Sequence, residues 1–136
     1  KSVMESTYNK INRDYIVVLL LEIIKIFDVS KDTKYLDAGL EICKWLKNHD
    51  ESNPVHTINE LQIYARKRSL RKEEKNELKQ IVKASKNHEN SNMLSSCAYL
   101  LLNEISKFNK EFNKLSIEEK KQFKNYPIYQ LYKNRE

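Results

Sequence analysis

One glycine in 136 residues leaves a chain few folds to choose from. Tight hairpins, Greek-key sandwiches, phosphate-cradling loops and dinucleotide-binding turns all need glycine where the backbone enters positive φ or approaches a ligand closely. The lone Gly39 lies inside an apolar-periodic run and cannot supply a G-x-x-x-x-G-K-[ST] loop or a G-x-G-x-x-G fingerprint. Nucleotide-cofactor chemistry of those kinds is therefore excluded, and no cofactor is implied. Only two prolines interrupt the chain, and apolar residues recur at three- and four-residue steps along most of it. The expected fold is all-α with no strand. The length suits one domain over residues 1–136, and 40% hydrophobic content is enough for a core.

A first helix is expected from about Thr7 to Phe27, with Tyr8, Ile11, Tyr15, Leu19 and Ile26 at helical spacing. From Tyr15 to Phe27 it is apolar almost all round, which predicts cover on two sides. Asp28 to Asp32 reads as a turn, with Asp32 or Thr33 as the next N-cap. The second helix, about Lys34 to Asn48, carries a broad apolar face of Leu36, Leu40, Cys43 and Leu46 with Ala38, Ile42 and Trp45. Trp45 is expected to be buried between helix pairs. Asn53-Pro54 is a start signal: a capping side chain, then proline at the first helical position. Further helices are expected at about Val55–Lys67, Arg71–Ser85, Ser91–Leu102 and Glu104–Lys114, with Asn103 as a left-handed turn residue. Ser116-Ile117-Glu118-Glu119 matches a capping box and opens a short helix to about Lys124. After Pro127, the apolar residues Ile128, Tyr129, Leu131 and Tyr132 form a tail expected to dock near Phe108 and Phe112.

The helices pair at intervals of about 38–40 residues, a spacing typical of stacked helix–turn–helix repeats. The expected pairs cover about 7–48, 54–86 and 91–115, with 116–136 as a cap. The expected architecture is a right-handed α-solenoid-like array of about three antiparallel pairs closed by a short C-terminal capping helix. Tyr35-Leu36-Asp37-Ala38-Gly39-Leu40-Glu41-Ile42-Cys43-Lys44-Trp45-Leu46 resembles the second helix of a tetratricopeptide-like repeat. The first-helix signature Trp-x-x-Leu-Gly-x-x-Tyr is absent, so the array would be divergent. Ile58-Asn59-Glu60-Leu61-Gln62-Ile63-Tyr64-Ala65-Arg66 and Phe123-Lys124-Asn125-Tyr126-Pro127-Ile128-Tyr129 resemble C-terminal helical regions of large multidomain bacterial defence or signalling proteins. The resemblance implies an accessory interaction or oligomerisation module for an effector domain outside this chain. A first residue of Lys1 is in keeping with a fragment.

Charge is unevenly spread. The segment from Arg66 to Lys86 holds nine basic and three acidic residues, which accounts for the whole net charge of +6. Arg68, Arg71, Lys72, Lys75, Lys79 and Lys83 form a candidate basic patch, and nucleic acid is the alternative partner to protein. The preferred partner is protein: a second copy, a neighbouring domain or a peptide. Asn59, Gln62 and Arg66, on one helix face, are the candidate groove residues for it, with arginine as a bidentate clamp. No catalytic constellation emerges. His49, His56 and His88 lack zinc-ligand spacing with each other and with Cys43 and Cys97, so no metal is expected. The two cysteines sit in apolar helical contexts and read as small hydrophobes rather than a disulfide. The longest apolar run stops at Glu22, too short for a bilayer, so neither a membrane partner nor a leader is expected. A non-enzymatic cytoplasmic module is the resulting expectation.

Overall fold

The computed structural model describes residues 10–86 and 91–133. These form eight helices and no strand: α1 Lys10–Ser30, α2 Lys34–His49, α3 Pro54–Lys67, α4 Lys72–Ser85, α5 Ser91–Leu101, α6 Ile105–Asn113, α7 Ile117–Lys124 and α8 Ile128–Lys133. The expected start of the first helix at Thr7 lies outside the described residues. The fold is all-α, as the glycine count and periodicity predict. Where one domain is expected, packing separates two compact units, Lys1–Ile63 and Tyr64–Glu136, with the boundary inside α3.

Helix ends are set locally. α1 runs three residues past the expected Phe27 and stops where Lys31 adopts φ 62°. There the Lys31 amide donates to the Phe27 carbonyl at 2.7 Å, closing the last turn in the manner usually reserved for glycine. Asp32 caps α2, its carboxylate accepting from the Lys34 amide at 3.1 Å. Asn53 caps α3, accepting from the Val55 amide at 3.0 Å. α5 ends on Asn103 at φ 61°, and the Glu104 amide reaches back to the Tyr99 carbonyl at 2.9 Å. At α7 the capping box is complete: Glu119 N–H donates to Ser116 Oγ and Ser116 N–H to Glu119 Oε1.

In the N-terminal unit, α1 packs on α2. Leu20, Ile24, Leu36, Cys43, Leu46 and Ile63 form its core. The buried face of α2 is Leu36, Gly39, Cys43 and Leu46, at steps of three and four. Leu36, Cys43 and Leu46 face inward as expected, but Ala38 is exposed, and Gly39 is the small residue that lets helices close. A Cβ at Gly39 would sit 2.9 Å from Ile63 Cδ1 and 3.4 Å from Leu20 Cδ1. The reading of Trp45 as buried is corrected too. It is half-buried at the rim and stacks on His49, ring centroids 4.3 Å apart. Lys47 and Glu60 join α2 to α3 by a 2.9 Å ion pair.

In the C-terminal unit, α5 is the hub, packed by α4, α6 and α8. Leu94, Ser95, Ser96, Cys97, Ala98, Leu100 and Leu101 are all buried, as its three neighbours require. Around Phe108, aromatic rings from two further helices meet, Phe123 at 5.7 Å and Tyr132 at 5.0 Å, together with Phe112 of its own helix at 5.4 Å. The tail after Pro127 docks as expected, but as the short helix α8. Ile128 is buried and Leu131 half-buried, while Tyr129 and Tyr132 meet Phe112 and Phe108.

Candidate functional site

The residues expected to line a groove do not line one. Asn59 and Gln62 are 5% and 1% exposed, and Gln62 Nε2 donates to Asn59 Oδ1 at 2.9 Å. Their one-turn spacing pairs them with each other inside the N-terminal unit, which satisfies buried amides that would otherwise be costly. Arg66, in the C-terminal unit, donates to the Pro127 carbonyl at 2.8 Å and so fastens the start of α8. The two buried amides are not presented to a peptide.

A polar node at the start of α3 escaped the sequence reading. Asp50 Oδ2 accepts from Asn53 Nδ2 at 2.9 Å and from His56 Nε2 at 3.0 Å, and Arg13 lies 3.5 Å away. His56 is wholly buried, and its Nδ1 has no hydrogen-bond partner among the described residues. Burial pushes the imidazole below its ordinary 6.5, further than Asp50 lifts it. Burial also lifts the Asp50 carboxyl, but hydrogen bonds from Asn53 and His56, with the Arg13 charge, hold it below 3.8. A neutral imidazole donating from Nε2 fits this geometry, since a second proton at Nδ1 would find no acceptor there. The spacing Asp50-x-x-Asn53-x-x-His56 across a helix start was the available signal.

Both groups bind protons more weakly folded than unfolded, so acid favours the unfolded chain. Stability of the N-terminal unit is expected to fall as pH drops below 6.5 through the folded value of His56. A further fall is expected below 3.8 as Asp50 protonates. Melting followed by circular dichroism from about pH 7.5 to about pH 5 checks this: His56→Gln should flatten the decline. An unchanged slope in that variant would remove His56 as its source.

The basic segment divides into two chemistries. Arg68 grips Glu74 with two hydrogen bonds, 2.8 and 3.0 Å, and lies over the Tyr64 ring at 4.5 Å. That pairing pulls the Glu74 carboxyl down to about 2. Arg68 is therefore tied to the start of α4 through Glu74, whose carboxylate also accepts from the Arg71 amide at 2.7 Å, and it leaves the expected patch. Arg71, Lys72, Lys75, Lys79 and Lys83 are all exposed.

The remaining exposed feature is apolar. α1 buries Leu20 and Ile24 against its unit, while Tyr15, Val18, Leu19, Ile26 and Val29 are 45–88% exposed on the opposite face. A helix expected to be covered on two sides is covered on one. Glu22 and Lys25, paired at 3.2 Å, are the charges set in this stripe.

Among the described residues no group of three or more His, Cys, Asp and Glu is placed to hold a metal ion. Cys43 and Cys97 are free and buried, and burial pushes both thiols up to about 12. Among those residues no helix is long and apolar enough to cross a membrane. Comparison with protein-family models, with curated proteins and with solved structures finds no match.

Proposed function

We propose that this chain is a non-enzymatic helical interaction module that self-associates through the outward face of α1. The observation that carries this reading is the stripe of Tyr15, Val18, Leu19, Ile26 and Val29, large side chains left 45–88% exposed. With Glu22, positions 15, 19, 22, 26 and 29 alternate steps of four and three, the spacing of a helix–helix seam. Large apolar side chains gathered on one exposed helix face favour an interaction site.

Charge complementarity selects a second copy as the occupant and fixes its direction. Parallel pairing would set Glu22 against the partner's Glu22 and Lys25 against the partner's Lys25. An antiparallel pair, with its two-fold axis between positions 23 and 24, sets Glu22 against the partner's Lys25 twice. It also sets Val18 against the partner's Val29. The stripe is ~21 Å long on a helix ~10 Å across. Such a contact is smaller than the ~800 Å² per partner of a stable complex, so the dimer is weak and concentration-dependent.

Sedimentation equilibrium over a range of concentrations tests this. A monomer–dimer equilibrium is expected, weakened by Glu22→Lys or Lys25→Glu alone and restored by the two together. Both side chains are substantially exposed, so the folded unit should tolerate each change. A chain that stays monomeric at the highest concentrations, or a dimer indifferent to Val18→Glu, would rule the seam out.

A further inference from the structure

The exposed surface of α4 is sorted by charge, an observation independent of the α1 stripe. At ~100° per residue, Lys72, Lys75, Lys79 and Lys83 fall within a sector of roughly 80°, and Lys86 just past the helix end continues it. Glu73 and Glu77 fall on the far flank, more than ~100° from the centre of that sector. Leu78 and Ser85 mark the buried side. All five lysines are exposed, and none of their ammonium groups has an ion pair or hydrogen bond among the described residues. Successive ammonium groups are spaced ~5 Å apart over ~21 Å of helix axis.

We infer that this lysine stripe binds the phosphate backbone of nucleic acid without reading sequence. A ~21 Å length of duplex presents about a dozen phosphates, more than enough to face five ammonium groups. Lysine is a point charge suited to phosphate, and the stripe carries no side chain fitted to read a base edge. Two aromatic or arginine elements nearby are already committed: Tyr64 lies under Arg68, and Arg68 is held by Glu74. An acidic protein fits less well. Protein interfaces are anchored by aromatic, apolar or arginine side chains and are depleted in lysine, and the stripe offers lysine alone.

Fluorescence anisotropy with a labelled 20-base-pair duplex of mixed sequence, repeated with a second unrelated sequence, tests the inference. Five neutralised phosphates predict a log–log salt slope near −4.5, about a five-hundredfold loss of affinity between 50 and 200 mM salt. The two duplexes should bind equally. Changing Lys72, Lys75, Lys79 and Lys83 to glutamine should abolish most binding and flatten the slope, with the helical spectrum and melting temperature retained. A control carrying Lys110→Gln, Lys121→Gln, Lys124→Gln and Lys133→Gln removes the same charge from other exposed sites. It should bind like the unaltered chain. Equal loss in the control would show that net charge acts without a site and would overturn the inference. So would absence of binding at about 25 mM salt, where phosphate contacts are strongest. Tighter binding to poly-glutamate than to the duplex would replace nucleic acid with an acidic protein.

Discussion

Phe123→Ala is expected to destabilise the C-terminal unit by about 3–5 kcal/mol, the range for a large aromatic deleted from a core. Phe123 is fully buried. Its ring meets Phe112 at 5.5 Å, Phe108 at 5.7 Å, and Tyr126 and Tyr129 at 6.1 Å each. Four rings from α6 and the chain around α8 thus converge on one side chain, and none can collapse into the gap without losing another contact. Since whole domains are stable by only about 5–15 kcal/mol, the loss would leave the unit close to unfolding. Urea titration followed by circular dichroism reads the change. A loss below about 1 kcal/mol would mean that the aromatic cluster rearranges freely and does not hold the unit together.

Ending the chain at Asn125 is the second change with a large expected effect. It removes Ile128, which is 2% exposed and by area alone contributes roughly 1.5–3 kcal/mol. It also removes the ring pairs Phe108–Tyr132, Phe112–Tyr129 and Phe123–Tyr126. Such pairs are worth about 0.5–1.5 kcal/mol each beyond their buried area. The carbonyl of Pro127 goes too, and with it the acceptor for Arg66. A loss of about 3–7 kcal/mol follows, with a dye-binding apolar surface opened around Phe108. Unchanged melting in the shortened chain would show that α8 rests on the unit without stabilising it.

What could be read in advance was whatever the chain settles locally. Asn53-Pro54, Asn103 and the Ser116–Glu119 box act on backbone groups within three or four residues, so their sequence neighbours suffice to identify them. Facing is a different problem. α2 is apolar over so broad an arc that Ala38 and Trp45 look as inward as Gly39; only the approach of Ile63 to Gly39 decides the rotation. Asn59 and Gln62 share a face, which suits a groove or a mutual hydrogen bond equally, and burial chooses the latter. The charge count of the basic segment was visible. That Arg68 is committed to Glu74 while the lysines are not depends on where the turn before α4 places the guanidinium. For α1, composition announced that two faces need cover but not which one the N-terminal unit supplies.

The placement of the two cysteines gives each unit its own clock. Cys43 lies in the core of Lys1–Ile63 and Cys97 on α5 within Tyr64–Glu136. Both are buried with thiols held protonated, so each reacts slowly with an alkylating or disulfide reagent until its surroundings open. The rate of modification at each sulfur therefore counts openings of one half of the chain alone. Two rates that move together under denaturant describe a molecule that breathes as one body, and two that part describe halves with separate lifetimes.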